Sequence, residues 1–152
     1  MLKNALLAAA ISLGLATVGC AAESEPKQPS TTQSASGDSK EDASLAAVLV
    51  YADWCSSCKI LDPKVKAVKE SQELAGVQFV TIDYTDRDVE GLFVQADTNG
   101  VGQAVRTFLA DEVKTGWLLL VDLDDNKVVG KVVKSMNEDE IAGAIKATQL
   151  AS

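Results

Sequence analysis

Ala46-Ala47-Val48-Leu49-Val50-Tyr51-Ala52-Asp53-Trp54-Cys55-Ser56-Ser57-Cys58-Lys59 is the stretch that decides the fold. A continuous apolar segment, Ala46 to Tyr51, leads into a Cys-x-x-Cys pair, which opens a stretch with helical character. An apolar run of this kind suits a strand buried on both faces. A strand that delivers two cysteines to a helix N-terminus has a chemical rationale. Unpaired backbone N–H groups and the positive end of the helix dipole stabilise a thiolate on the first cysteine. Thiolate is the reactive form, and such settings lower a cysteine pKa from about 8.5 to between about 3.5 and 7.5. The second cysteine, one turn on, can attack the mixed disulfide that the first one forms. The segment therefore predicts thiol–disulfide exchange, with Cys55 and Cys58 as the reacting pair.

The competing readings of the pair are a structural disulfide and half of a metal site. A closed zinc site takes four ligands, usually Cys or His. The chain has no histidine, and its third cysteine, Cys20, lies far upstream. No metal is expected, since carboxylates or a second copy would have to complete the ligand set. A structural disulfide across one helical turn closes a very short loop and contributes little stability. No separate cofactor is implied, because the redox-active Cys55–Cys58 disulfide is itself the reactive group.

Downstream, Cys55 to about Leu74 reads as a helix with Ile60, Leu61, Val65 and Val68 inward and Lys59, Lys64, Lys66 and Lys69 outward. Pro63 falls inside it, and Gly76 is expected to end it. Val77–Ile82 reads as a second strand, closing a parallel βαβ unit. Thr85, followed by Asp86 and Asp88, looks like an N-cap. The stretch from Asp86 to Glu112 reads as helix in two pieces, broken near Asn99-Gly100, with Val94, Val101, Val105, Phe108 and Leu109 inward. Trp117–Leu123 and Lys127–Val133 read as an antiparallel hairpin about Asp124-Asp125-Asn126. The acids at 122, 124 and 125 lack calcium-loop spacing and read as a solvated turn. Asn137 is expected to cap a last helix through Thr148, with Ile141, Ala144, Ile145 and Ala147 inward. The predicted order is β-α-β-α-β-β-α: an α/β domain with a central mixed four-stranded sheet flanked by helices.

The N-terminal end predicts an address rather than a fold. Lys3 precedes an apolar segment from Ala5 to Val18, which is shorter than the roughly 20 residues of a membrane span. A basic start, a hydrophobic centre and small residues before the cut make a secretory signal. Thr17-Val18-Gly19-Cys20 resembles the lipobox of bacterial lipoproteins, which implies that Cys20 is lipidated and becomes the mature N-terminus. The alternative is ordinary cleavage near Ala21 or Ala22, leaving a soluble periplasmic protein. Residues Ala21 to Ser44 are rich in Ser, Thr, Pro and charge, with no large apolar side chain, and are expected to be disordered. Such a tether holds a domain about 25–30 Å from its anchor. The expected organisation is a signal peptide at 1–19, a lipidated cysteine and linker at 20–44, and a folded domain at 45–150. The formal charge of −8 and the lack of a basic patch argue against nucleic acid as a partner.

Tyr51-Ala52-Asp53-Trp54-Cys55-Ser56-Ser57-Cys58-Lys59 resembles the active-site segment of the thioredoxin superfamily. The likeness is greatest to the C-terminal periplasmic domain of membrane thiol:disulfide interchange reductases. Pro63 matches the family's helix-kinking proline, and Ile82-Asp83-Tyr84-Thr85-Asp86 is similar to the strand end and helix start that follow. The resemblance implies a thioredoxin-like fold, with Cys55 the exposed nucleophile and Cys58 the buried resolving thiol. Trp54 would pack beside the site, and Lys59 would be a nearby cation.

Three departures accompany it. A buried aspartate of many members is replaced by Leu49. The family's cis-proline falls, in the best register, at Gly116 within Thr115-Gly116-Trp117. A non-proline cis bond costs roughly 2.5–4 kcal/mol, so a trans peptide or a rebuilt loop is expected there. The segment between Ile82 and Gly116 is longer than a minimal member needs.

The implied function is an extracytoplasmic, membrane-anchored thiol–disulfide oxidoreductase acting on protein thiols and disulfides, recharged by a membrane electron donor. The implied location is the periplasmic side of the bacterial cell envelope, with the outer membrane favoured because Ala21 is not the aspartate of inner-membrane retention. The alternative is a non-catalytic binding or scaffold lipoprotein on the same fold.

Overall fold

The computed structural model describes residues 43–71, 74–110 and 112–152. Cys20, the signal segment and the linker lie outside the described residues. Eight elements follow in order: β1 (Leu45–Tyr51), α1 (Ser56–Ser71), β2 (Val77–Asp83), α2 (Val89–Thr98), α3 (Gly102–Leu109), β3 (Trp117–Asp122), β4 (Lys127–Val133) and α4 (Glu138–Gln149). The sheet order is β2-β1-β3-β4, with β1 parallel to β2 and antiparallel to β3, and β3 antiparallel to β4. This is the mixed four-stranded α/β arrangement that the apolar runs predicted.

β1 is the central strand, and its alternation divides the core. Leu45, Ala47 and Leu49 pack with Leu61, Val65 and Val68 of α1, Ile141 and Ile145 of α4, and Leu118 and Leu120 of β3. Ala46, Val48 and Val50 face the other way, onto Leu92 and Ala96 of α2, and Val105 and Leu109 of α3. A strand flanked by paired strands and covered on both faces has no polar position available, which is why it reads as an unbroken apolar run. At its C-terminal end that rigid strand releases the chain into the cysteine turn.

Several local expectations need correction. Ile60, Val94 and Ala147 are exposed rather than inward. The buried positions of α1 are Cys58, Leu61, Val65 and Val68, a three-and-four spacing that leaves Ile60 about 100° off the inner face. In α4, Ala142 takes the buried place expected of Ala147. α1 ends at Ser71, before the left-handed turn at Gly76 (φ +76°). The N-cap of α2 is Asp88, and Thr85 instead closes a tight turn. Asp122 is buried, not part of a solvated turn, and its carboxylate accepts the N–H groups of Asp124 (2.9 Å) and Asp125 (3.0 Å).

Both sheet edges are interrupted. At the end of β2, the Gln95 side chain donates to the Asp83 carbonyl (3.0 Å) and accepts the Asp83 N–H (2.9 Å), as a neighbouring strand would. On β4, the register shifts between Leu120, which faces Gly130, and Val121, which faces Val128.

Candidate functional site: the cysteine turn

The turn after β1 is built by backbone bonds from its own ends. The Cys55 N–H donates to the Ala52 carbonyl (3.1 Å), and the Cys55 carbonyl accepts the Lys59 N–H (3.2 Å). Cys55 is therefore the N-cap of α1. Its sulfur also does what an N-cap side chain does, accepting the Cys58 N–H at 3.1 Å. The Cys55 sulfur is thus fixed against the electropositive end of a helix of 16 residues.

Cys55 and Cys58 form a disulfide, with Cα atoms 5.3 Å apart. The two sulfurs are not equivalent. Cys55 is 8% exposed and Cys58 is 0%. The Cys58 sulfur lies 3.7 Å from the Val50 carbonyl oxygen, the same oxygen to which the Gly116 N–H donates at 3.4 Å. After reduction a buried Cys58 thiol can donate to that carbonyl, whereas a thiolate there would face an oxygen lone pair.

Gly116 lies against the pair. A Cβ at this position would sit 2.6 Å from Ser57 Cβ and 3.3 Å from Cys55 Sγ. Its φ of +82° is in the left-handed region that only glycine adopts without strain. Among the described residues there is no cis peptide bond, so the loop runs trans through Gly116. Thr115 is half-buried, immediately before it. Trp117, next in sequence, packs edge-to-face on Phe108 (5.9 Å between centroids) and lies under the Lys131 ammonium (4.5 Å). Lys59 is exposed in the first turn of α1. Leu49 is fully buried in the apolar layer beneath α1 and α4.

A second turn, Tyr84 to Asp88, supports the first. The Tyr84 N–H continues the β1–β2 pairing by donating to the Tyr51 carbonyl (2.7 Å). Trp54, 46% exposed, donates its indole N–H to the Thr85 carbonyl (2.9 Å), and the Asp53 N–H donates to the Thr85 hydroxyl (3.2 Å). That hydroxyl and the Thr85 N–H both donate to the Asp83 carboxylate (2.6 and 2.8 Å). These two donors hold the Asp83 carboxyl below its ordinary range. Tyr84 meets the Trp54 ring edge-on at 6.2 Å, and the Arg87 guanidinium lies 4.7 Å from the Trp54 centroid.

The sequence reading did not single out Thr85 or Arg87 as parts of the site. Their approach to Trp54 spans more than thirty residues of chain, and only the parallel register of β1 and β2, Tyr51 opposite Asp83, brings the two turns together. Among the described residues no group of three or more His, Cys, Asp or Glu is arranged to hold a metal ion, and no helix is long and apolar enough to cross a membrane.

A thioredoxin family model matches residues 31–96, which contain β1, the cysteine turn, α1 and β2. This match supports a thioredoxin-superfamily domain in that part of the chain. Among solved structures, this thioredoxin-like chain is similar to the oxidised thioredoxin of Plasmodium falciparum, with 12% identity and a TM-score of 0.43 over 72% of this chain and 86% of that one. No curated protein matches it. A thioredoxin-like domain with its Cys-x-x-Cys pair joined at a helix N-terminus suggests thiol–disulfide redox activity.

Proposed function

We propose that this protein is an extracytoplasmic, lipid-anchored thiol–disulfide oxidoreductase whose substrates are protein disulfides. The observation that carries the redox reading is the inequality of the two sulfurs: one caps a helix and reaches solvent, the other is sealed beneath it. In the reducing direction, the Cys55 thiolate attacks one sulfur of a substrate disulfide and releases the other as a thiolate. A mixed disulfide joins Cys55 to the substrate. Cys58 then surrenders its proton and attacks Cys55 Sγ, releasing the second substrate thiol and closing the Cys55–Cys58 bond. Starting from the Cys55 thiolate, the protein gives up two electrons and the one proton of Cys58, and the substrate disulfide leaves as one thiolate and one thiol. With leucine at position 49 no carboxylate is offered there to take the Cys58 proton, so water or the departing substrate thiolate receives it. A membrane electron donor restores the dithiol.

The anchor reading rests on Lys3, the apolar segment and Thr17-Val18-Gly19-Cys20. It places the domain on the periplasmic side of the envelope, at the outer membrane. Mass spectrometry of the mature N-terminus tests it directly, since a diacylglyceryl group on Cys20 is expected and an unmodified terminus near Ala21 overturns it.

The exchange reading is tested by the reduction potential of the pair in the full chain carrying Cys20→Ser. Equilibration in glutathione or dithiothreitol buffers, followed by counting of alkylated thiols, is expected to give a value between about −120 and −270 mV. A pair that stays oxidised well below about −300 mV, or never closes, replaces exchange with a binding role for the same fold.

A further inference from the structure

Two arginines of this domain stack on aromatic rings, and they differ in what their donors do. The Arg106 guanidinium lies 4.8 Å from the Phe93 centroid, and its two terminal nitrogens are both closed by Asp97 at 2.6 Å. The Arg87 guanidinium lies at the same kind of distance from Trp54, 4.7 Å, yet among the described residues no carboxylate or carbonyl accepts from it. Its backbone is held in the left-handed region (φ +60°), and its N–H donates to the Tyr84 carbonyl at 3.1 Å. The ring beneath it is fixed in turn by the indole bond to Thr85 and by the edge of Tyr84. A guanidinium has a planar fork of donors that matches a carboxylate bidentately, and stacking on an aromatic face leaves that fork open.

The neighbouring acids do not use it. Asp83 is committed to Thr85. The carboxylate of Asp88 is folded over the first turn of α2, 2.5 Å from where a Cβ on Gly91 would stand. An oriented guanidinium with no hydrogen-bond acceptor among the described residues therefore lies over Trp54, the residue before Cys55, on a chain whose formal charge is −8.

We propose that Arg87 is a substrate-specificity residue, whose guanidinium on Trp54 binds a carboxylate beside the disulfide under attack and so selects acidic peptide segments. This rests on the exchange reading above and adds the substrate class to it. The net negative charge of the remaining surface repels acidic partners at long range. Arg87 then acts as a local selector of which end of an acidic segment meets Cys55.

The test uses the reduced full chain carrying Cys20→Ser and three disulfides of different charge: anionic 5,5′-dithiobis(2-nitrobenzoate), neutral 2,2′-dithiodipyridine and cationic cystamine. Second-order rate constants are compared as ratios, so that the probes' intrinsic reactivities cancel between variants. Arg87→Gln is expected to lower the anionic rate relative to the neutral one by about two- to fivefold, the range of an exposed charge pair. The cationic rate should rise relative to the neutral one. Arg87→Lys should restore part of the anionic preference, and added salt should shrink the preference of the unsubstituted protein. A change shared equally by all three probes, or no change, overturns the proposal. If Arg87→Gln does not fold, Arg87→Lys and the salt dependence of the unsubstituted protein decide it, because a salt-independent ratio overturns it equally. Absence of reaction with the neutral probe in every form is a different failure, that of the exchange reading itself.

Discussion

Two helix N-termini on the same side of the sheet solve one problem in opposite ways. At α4, the Asn137 side chain accepts the Glu140 N–H (2.9 Å) while the Glu140 carboxylate accepts the Asn137 N–H (2.8 Å), a reciprocal capping box. Three acids in that first turn complement the helix dipole. At α1, the first turn has no acid, and the cap is the Cys55 sulfur. At the α4 terminus both donors of the box are answered by oxygen. At α1 a softer acceptor occupies the same position, so the field of the helix acts on an atom that can be oxidised, attacked and released. Local stability has been exchanged for reactivity at one end of the domain while its neighbour remains conventionally closed.

Substitution can break that contrast at its strongest point. Cys55→Ser supplies an oxygen cap, so α1 should fold with unchanged helicity by circular dichroism. In the chain carrying Cys20→Ser, its reaction with a neutral disulfide should fall by about a thousandfold or more, because no thiol remains at the N-cap of α1. Retained reaction would move the nucleophile to Cys58 and dissolve the inequality of the sulfurs. Gly116→Ala tests how tightly the reactive cap is enclosed. The new Cβ meets Ser57 and Cys55 Sγ and must accept a left-handed φ, so urea unfolding should show a loss of about 2 kcal/mol. Asn137→Ala acts at the other terminus. It should cost about 1 kcal/mol in the same measurement, with the rate constant for Cys55 and 2,2′-dithiodipyridine unchanged. A slowed reaction there would mean that the two termini are coupled.

The smallest effect is one of pH. Asp83 is held below its ordinary value by the Thr85 hydroxyl and N–H, so its contribution is present above the unfolded-state pKa and is lost as pH falls through the lower folded-state value. Because Thr85 also holds Trp54, acidification below about pH 4 should change Trp54 fluorescence in a Trp117→Phe background before global unfolding. Asp83→Asn should remove that acid transition.

The difference between the two termini was only partly legible in the sequence. Asn137 announces itself because a cap and its box partner are three residues apart. Lys127–Val133 was readable as a strand because its turn is local. The register at Gly116 followed from the apolar run of β3 that begins just after it. The misplacements of Val94 and Ala147 share a physical cause: the inner faces of α2 and α4 depend on small residues. Ala96 and Ala142 are buried although they carry little hydrophobic signal, and Val94 is exposed although it carries much. The support of Trp54 by Thr85 and Arg87 was not readable at all, because it is created by strand register and not by spacing along the chain.

The Gln95 amide at the end of β2 has a consequence for how copies of this domain behave beside one another. A sheet edge with a full row of unpaired N–H and C=O groups is an invitation to lateral growth. Here the Asp83 backbone is already answered by a side chain, and Gln78 farther along the same strand donates to the Asn99 carbonyl of the adjoining turn. At the opposite edge β4 carries Lys127 and Lys131 and shifts register between Val128 and Gly130. Neither margin offers an uninterrupted template on which a strand of another copy could add.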